Sequence, residues 1–298
     1  MTAWSRREWL TKAGMGAATL ALAPGWLASR LFAEEPHIRI SPLNLLRDED
    51  EIAMGRQFAT VFEKEEMVVN NKLTDSYLGK IAATLAAQSQ RPNLSFSIKL
   101  VNSHVPNALS LPGGFLYINR GLIELIKSED ELAAAISHEI GHVVARHVVN
   151  QLLIFFAAQS LLKPVLDNLN EQNDVVEKII VKFGGAAVML AKLHFNRKDE
   201  SEADLLGFYD MMRAGWDPNG FLKLFARMDE LEKSSNGAPI PLLSDHPPTP
   251  EREEAIRNEL KLVSVPAGAA TDSVKFQVFK SAMQLLPEPP KPANNAQS

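Results

Sequence analysis

Three histidines and a glutamate crowd into HEIGHVVARH, residues 138–147, inside an otherwise apolar run. His138 and His142 are four apart, and on a helix such residues share a face. Both imidazoles can then address one metal ion, and zinc accepts imidazole nitrogens at about 2.0–2.1 Å in a tetrahedral set. Glu139 is offset around the helix from both. It can hold an attacking water without ligating the metal, which is the place a general base needs. The bland alternative is a core helix whose polar residues satisfy one another. Burying two imidazoles and a carboxylate without partners is costly. His147 lies five residues past His142, rotated off the ligand face of a continuing helix, and reads as structural.

Two histidines do not complete a site. The candidates for a third ligand are His37, His104, His194, His246 and the acidic residues. RKDESEADLLG (197–207) is the most organised of these. Glu200 and Asp204 share a helical face, so one carboxylate can ligate. The other can accept a hydrogen bond from a ligand histidine and fix its tautomer. Standing alone, the segment reads rather as a solvated acidic face.

The elements that must carry these groups are legible in outline. DEDEIAMGRQFATVFEKEE (48–66) has helical apolar spacing, with Asp48 as cap and Glu51 three residues on. Thr74 caps a second helix that ends near QRPN. LSFSIKL (94–100) alternates as a half-buried strand. NALSLPGGFLYINRGL (107–122) reads as two extended pieces around Pro-Gly-Gly, giving a small antiparallel sheet. Ser128 and Glu131 form a capping box for the helix that carries HEIGH, which runs on toward Pro164. Residues 152–166 and 174–193 are apolar helical candidates: core helices, or a hairpin touching a membrane or client. DESEADLLGFYDMMRAG (199–215) stops at Gly215. Asp217 with Pro218, and Thr249 with Pro250, open two further helices. An amphipathic stretch covers 274–286, and the proline-rich end, 287–298, reads as disordered. Together these predict a helix-dominated α+β domain over residues 34–286, with its core at 45–260.

Composition narrows the function. Of 298 residues, 46% are hydrophobic and 22% charged, values that suit a globular core. The first 33 residues carry Arg6, Arg7, Lys12 and Arg30 against Glu8, a net +3, which leaves −8 on the remainder. Such a body offers nucleic acid no general attraction. The chain has no cysteine, which excludes disulfides, thiolate metal sites and a cysteine nucleophile. SRREWLTK followed by the mildly apolar 13–29 reads as a twin-arginine export signal, cut after Ala33. That implies a periplasmic protein. An uncleaved anchor in the inner membrane is the alternative.

HEIGHVVARH followed by ESEAD resembles the zinc metallopeptidase family that includes the CAAX prenyl proteases, in its bacterial periplasmic branch. EIAMGRQFA, VNSHVPNALSLPGGFLYINRGLI and SDHPPTPERE extend the likeness across roughly residues 45–260. The resemblance implies one zinc per chain, held by His138, His142 and Glu200, with Asp204 behind them; Glu202 is the competing ligand. It implies that His246 sits near the metal, as a fourth ligand or an oxyanion stabiliser, with Arg252 holding its loop. It implies docking of an extended substrate along Asn107 and the strand near Phe115 and Tyr117, with Arg252 also among the substrate contacts. The membrane spans of the prenyl proteases are absent from the pattern, as is the helical-repeat domain of some periplasmic relatives. The expected activity is endopeptidase action on unfolded or misassembled envelope polypeptides. A chaperone-like factor with latent activity gated by His246 is the second reading. Peripheral membrane contact stays open, and oligomeric state has no signature.

Overall fold

The computed structural model describes residues 46–167, 195–235 and 237–289, with scattered positions between 178 and 193. The export segment, His37, His194, most of 174–193 and the tail past 289 lie outside the described residues. In chain order the elements are α1 (Asp48–Glu65), β1 (Val68–Val69), α2 (Lys72–Ala86), β2 (Ser97–Val101), β3 (Ala108–Leu111) and β4 (Phe115–Asn119). Then come α3 (Arg120–Leu125), α4 (Glu129–Val144), α5 (His147–Ala158) and α6 (Leu162–Asp167). The described C-terminal part holds α7 (Arg197–Ala214), α8 (Gly220–Ser234), α9 (Pro241–Asp245), α10 (Pro250–Leu262) and α11 (Val274–Ala282).

The result is the expected α+β architecture, dominated by helices. The sheet, however, is mixed rather than antiparallel. Its order is β1-β2-β4-β3, and β2 pairs with β4 in parallel. β3 and β4 form the hairpin around Pro112–Gly114, where Gly113 and Gly114 take φ of 73° and 92°. β4 then inserts between β2 and β3, because FLYI is apolar on both faces and can be covered on both. Leu116 and Ile118 pack with Leu78, Leu85, Leu122 and Ile140 on one side. Tyr117 packs with Met54, Phe58, Phe62 and Leu152 on the other. Each such side chain contributes about 1.5–3 kcal/mol on burial. Among the described residues this arrangement leaves β3 at an edge of the sheet.

Several boundaries shift for local reasons. α1 has Arg47 at its cap position, and the Asp50 carboxylate accepts from the Arg47 amide. Glu51, expected to close a capping box, is instead fully buried against Arg91 and Arg146. Asn71, not Thr74, caps α2. Ser128 stands at the cap of α4, but its hydroxyl turns to the Asp130 and Glu131 carboxylates, and Glu131 accepts from the Lys127 amide. Asn219 takes the cap position of α8, while the Asp217 carboxylate accepts from its amide. Residues 287–288 are tied down rather than loose. The Pro287 carbonyl accepts from Asn102 Nδ2 at 2.8 Å, and Glu288 pairs with His104 at 2.9 Å.

The helix bearing HEIGH does not run on to Pro164. It stops at Val144, and α5 leaves it with a bend of 50°. The break is Arg146, a non-glycine residue at φ 58°, ψ 31°. That left-handed conformation costs roughly 1–2 kcal/mol. It is offset by the Arg146 side chain, which pairs with buried Glu51 at 2.9 Å and donates to the Leu46 carbonyl at 2.7 Å. Pro164 falls in the first turn of α6, where it is tolerated.

α4 and α7 approach until backbones touch. A Cβ on Gly141 would lie 2.7 Å from the Ala203 carbonyl oxygen, and one on Gly207 would lie 2.9 Å from the Ser137 carbonyl carbon. Alanine at position 141 favours a helix by about 1 kcal/mol. The clash outweighs this, and overpacking costs about 1–3 kcal/mol. Gly141→Ala is therefore expected to lower the thermal midpoint and weaken metal binding together. An unchanged melting curve would contradict the close approach.

Candidate metal centre

The close contact of α4 and α7 brings the two halves of the sequence signature into one cluster. His138 and His142 turn their Nε2 atoms inward, 3.0 Å apart. Glu200 projects from α7 between them, with Oε1 3.2 Å from His142 Nε2 and Oε2 3.5 Å from His138 Nε2. His246 arrives from the far side on the loop after α9. Its Nδ1 lies 3.1 Å from His138 Nε2 and 3.2 Å from Glu200 Oε1. One donor atom from each of these four residues falls within 4.8 Å of all the others, and all four side chains are buried.

Behind the donors stands a second layer. Asp204 Oδ1 lies 2.8 Å from His138 Nδ1, so the outer nitrogen of that ring donates to a carboxylate and Nε2 keeps its lone pair inward. Arg252 from α10 grips Asp204 with two bonds of 2.6 and 2.7 Å and reaches Glu200 Oε2 at 2.8 Å. It also donates to the Pro247 carbonyl at 3.0 Å, fixing the loop that delivers His246. Its guanidinium rests over the Phe225 ring.

The electrostatics suit a divalent cation. Burial opposes the charged form of Asp204, yet the Arg252 guanidinium holds its carboxyl below the usual range. Burial likewise opposes ionisation of Glu200, and His246 and His138 outweigh it, keeping that carboxyl well below its ordinary value. Burial opposes protonation of His138, but Glu200 and Asp204 raise it to about 10. The buried carboxylates thus favour positive charge on His138 and His246, while burial pushes His142 well down toward its neutral form. A bound metal replaces those protons, because its ligands must be deprotonated. Three imidazoles and a carboxylate, with no thiolate, form a donor set that fits zinc.

Glu139 faces the opening of the site, its Oε1 3.5 Å from His246 Nε2. It lines a cavity of about 330 Å³, together with Asn107, Ala108, Ser110, Phe62 and Phe195. Asn107 presents a buried Oδ1 that has no partner among the described residues.

Other sequence-predicted residues fall elsewhere. β4 is paired on both sides, so the strand at Phe115 and Tyr117 offers no edge for docking. Tyr117 packs on Phe62 and donates to Glu63 at 2.7 Å, away from the metal cluster. Among the described residues the edge strands are β1 and β3, and β3 is the one that lines the cavity with Glu139. Arg252 is buried behind the donors and does not reach the cleft as a substrate contact. His104 is outside the donor set and bridges Glu124 and Glu288. Glu202 is also outside it, facing His147 at 3.5 Å. Spacing alone makes His147 structural, yet its Nδ1 lies 3.1 Å from His142 Nδ1. The assumption of a continuous helix hid this contact. A left-handed arginine carries no local sequence mark.

A buried HExxH helix, with a carboxylate donor from a later helix and a free glutamate at its mouth, defines a zinc-type metallopeptidase site. The chain belongs to peptidase family M48, which it matches over residues 72–260. It is 30% identical over 204 residues to the mitochondrial metalloendopeptidase OMA1 of Schizosaccharomyces pombe, covering 66% of this chain and 56% of that one. It is 29% identical over 197 residues to OMA1 of Arabidopsis thaliana, covering 65% of this chain and 38% of that one. It is 25% identical over 228 residues to the beta-barrel assembly-enhancing protease of Yersinia pestis, covering 75% and 46%. The chain therefore spans about half the length of these curated relatives.

Proposed function

We propose that this chain is a periplasmic zinc endopeptidase acting on unfolded or misassembled envelope polypeptides. The buried cluster of His138, His142, Glu200 and His246, with Glu139 beside it, carries the reading. Zinc held there supplies Lewis acidity toward the scissile carbonyl and brings the pKa of a water down to about 7. Glu139 takes the proton of the attacking water and delivers it to the leaving amine. Asp204, itself locked by Arg252, keeps His138 in the ligating tautomer. His246 would complete the donor set for the metal or, released from it, would offer an N–H to the substrate carbonyl. That N–H would stabilise the oxyanion as it develops.

Substrate docks as an added strand on β3. The Asn119 amide donates to the Asn107 carbonyl, so residues 107, 109 and 111 bond to β4 and the backbone groups of Ala108 and Ser110 face outward. Asn107 Oδ1 gives one further acceptor for the substrate backbone. A peptide N-methylated at the residues that pair with Ala108 and Ser110 is expected to show a KM at least tenfold higher, about 1.4 kcal/mol, with kcat less affected. An unchanged KM would remove β3 as the docking edge. Beside Glu139, the cavity wall of Phe62, Leu109, Val148, Leu193 and Phe195 suits a large apolar side chain next to the scissile bond.

The export reading draws on Arg6 and Arg7 ahead of the apolar segment. The envelope substrate class draws on the likeness to beta-barrel assembly-enhancing proteases. Among the described residues no single helix is long and apolar enough to cross a membrane. A binding-only reading leaves Glu139 without a task and has no observation in its favour. The test is digestion of unfolded casein, with cleavage sites mapped by mass spectrometry. Cuts beside large apolar residues are expected, with a folded globular control left intact. No cleavage of casein by the zinc-loaded protein would overturn the reading.

A further inference from the structure

The two metal-binding histidines of α4 are not held alike. His138 has Asp204 on its outer nitrogen. His142, fully buried, presents its outer Nδ1 to another imidazole, His147 Nδ1, at 3.1 Å. The rings meet edge to face, 5.0 Å apart with planes at 74°. His147 Nε2 in turn faces Glu202 Oε2 at 3.5 Å and Asp199 Oδ1 at 3.9 Å, both on the helix that supplies Glu200. His147 and Glu202 are both buried.

Proton placement along this chain has one consistent solution. If His142 Nε2 offers its lone pair to a metal, Nδ1 carries the hydrogen. That N–H donates to His147 Nδ1, which must then be an acceptor. The single hydrogen of His147 sits on Nε2, directed at Glu202. A protonated His147 would set one N–H against another. The left-handed turn at Arg146 makes the contact possible. It turns α5 away from α4 by 50° and sets the second imidazole edge-on to the first, where a continuous helix would have rotated it away.

We propose that His147 is a positioning residue which, backed by Glu202, fixes the ligating tautomer of His142 and strengthens its hold on zinc. The His142–His147–Glu202 relay is then the counterpart, on the second histidine, of the Asp204–His138 pair. The inference rests on the metallopeptidase reading, but its test reads metal binding rather than cleavage.

Zinc dissociation constants are measured by chelator competition for the wild type, His147→Leu, His147→Asn and Glu202→Gln. Removing the acceptor in His147→Leu is expected to weaken binding about 10–100-fold. In His147→Asn, the side-chain oxygen replaces Nδ1 as acceptor, and binding should stay within about threefold of the wild type, the rescue that the proposal requires. Glu202→Gln should weaken binding several-fold in the wild-type background and not at all in His147→Leu, because the relay is then already cut. The visible absorption spectrum of the cobalt-substituted protein should change in His147→Leu and be restored in His147→Asn. Wild-type affinity in His147→Leu, or equal losses in the leucine and asparagine variants, would overturn the proposal. If His147→Leu fails to fold, the asparagine and Glu202→Gln variants decide: a large loss in His147→Asn overturns it. A wild-type protein that binds no zinc would overturn the metallopeptidase reading itself, a distinguishable failure.

Discussion

Glu139→Gln is expected to bind zinc as the wild type does and to hydrolyse peptide about 10²–10⁴-fold more slowly. That range is the usual contribution of a positioned general base. The glutamine is isosteric, so the mouth of the site keeps its shape. Glu139 is absent from the donor cluster, so the metal should lose no ligand. What is lost is the ability to take a proton from water. A steady-state assay on a quenched fluorescent peptide, run beside metal analysis of the same sample, reads both halves. A variant that lost its zinc would place Glu139 among the ligands instead. A variant with full activity would sink the proton-transfer assignment.

The second large effect is expected at Asp204. Its carboxylate neutralises Arg252 through two short bonds and orients His138 through a third. Asp204→Ala removes all three. Arg252 keeps Glu200 at 2.8 Å but loses its bidentate partner in a buried setting. Breaking a buried ion pair from one side costs about 3–5 kcal/mol, so Asp204→Ala should unfold at markedly lower denaturant. Zinc affinity should fall as well, by about 10–100-fold, as the His138 tautomer is freed. The double variant Asp204→Ala, Arg252→Met separates the two effects. It removes the stranded charge, so stability should recover in large part while zinc affinity does not. Recovery of both, or of neither, would show that the pair has been assigned the wrong role.

Much of this centre was legible in the sequence because helical spacing is a rigid rule. An offset of four from His138 to His142, and of four from Glu200 to Asp204, places each pair on one face whatever surrounds them. Bringing the two faces together is another matter. Contact of α4 with α7 depends on Gly141 and Gly207, whose meaning appears only when Ala203 and Ser137 are seen against them. The sheet shows a similar limit. Alternation in 94–100 and the apolar run at 115–118 mark strands, but periodicity is silent on partner and direction. The parallel β2–β4 pair, and with it the edge position of β3, had no local signal. His147 is the sharpest case. Its dismissal followed correctly from a straight helix. What breaks the helix is a left-handed Arg146 held by Glu51, a residue almost a hundred positions earlier whose spacing from Asp48 suggests only a capping box.

The same long-range tie joins the first helix, which also lends Phe62 to the cavity wall, to the end of the metal-binding helix. Buried Glu51 joins Arg146 to Arg91, and Arg91 donates to the Val143 carbonyl at the end of α4. Glu51 also accepts from the Gly113 amide in the turn between β3 and β4. One carboxylate thereby couples the end of the metal-binding helix to the hairpin that presents the docking edge.

The central claim is that His138, His142 and Glu200 hold a zinc ion without which no peptide bond is cut. Its most direct test is a zinc titration of the purified, chelator-stripped protein, with metal content and casein cleavage followed together. Cleavage should be absent at the start, rise in proportion to bound zinc and level off at one zinc per chain. Undiminished cleavage by the zinc-free protein would contradict the claim.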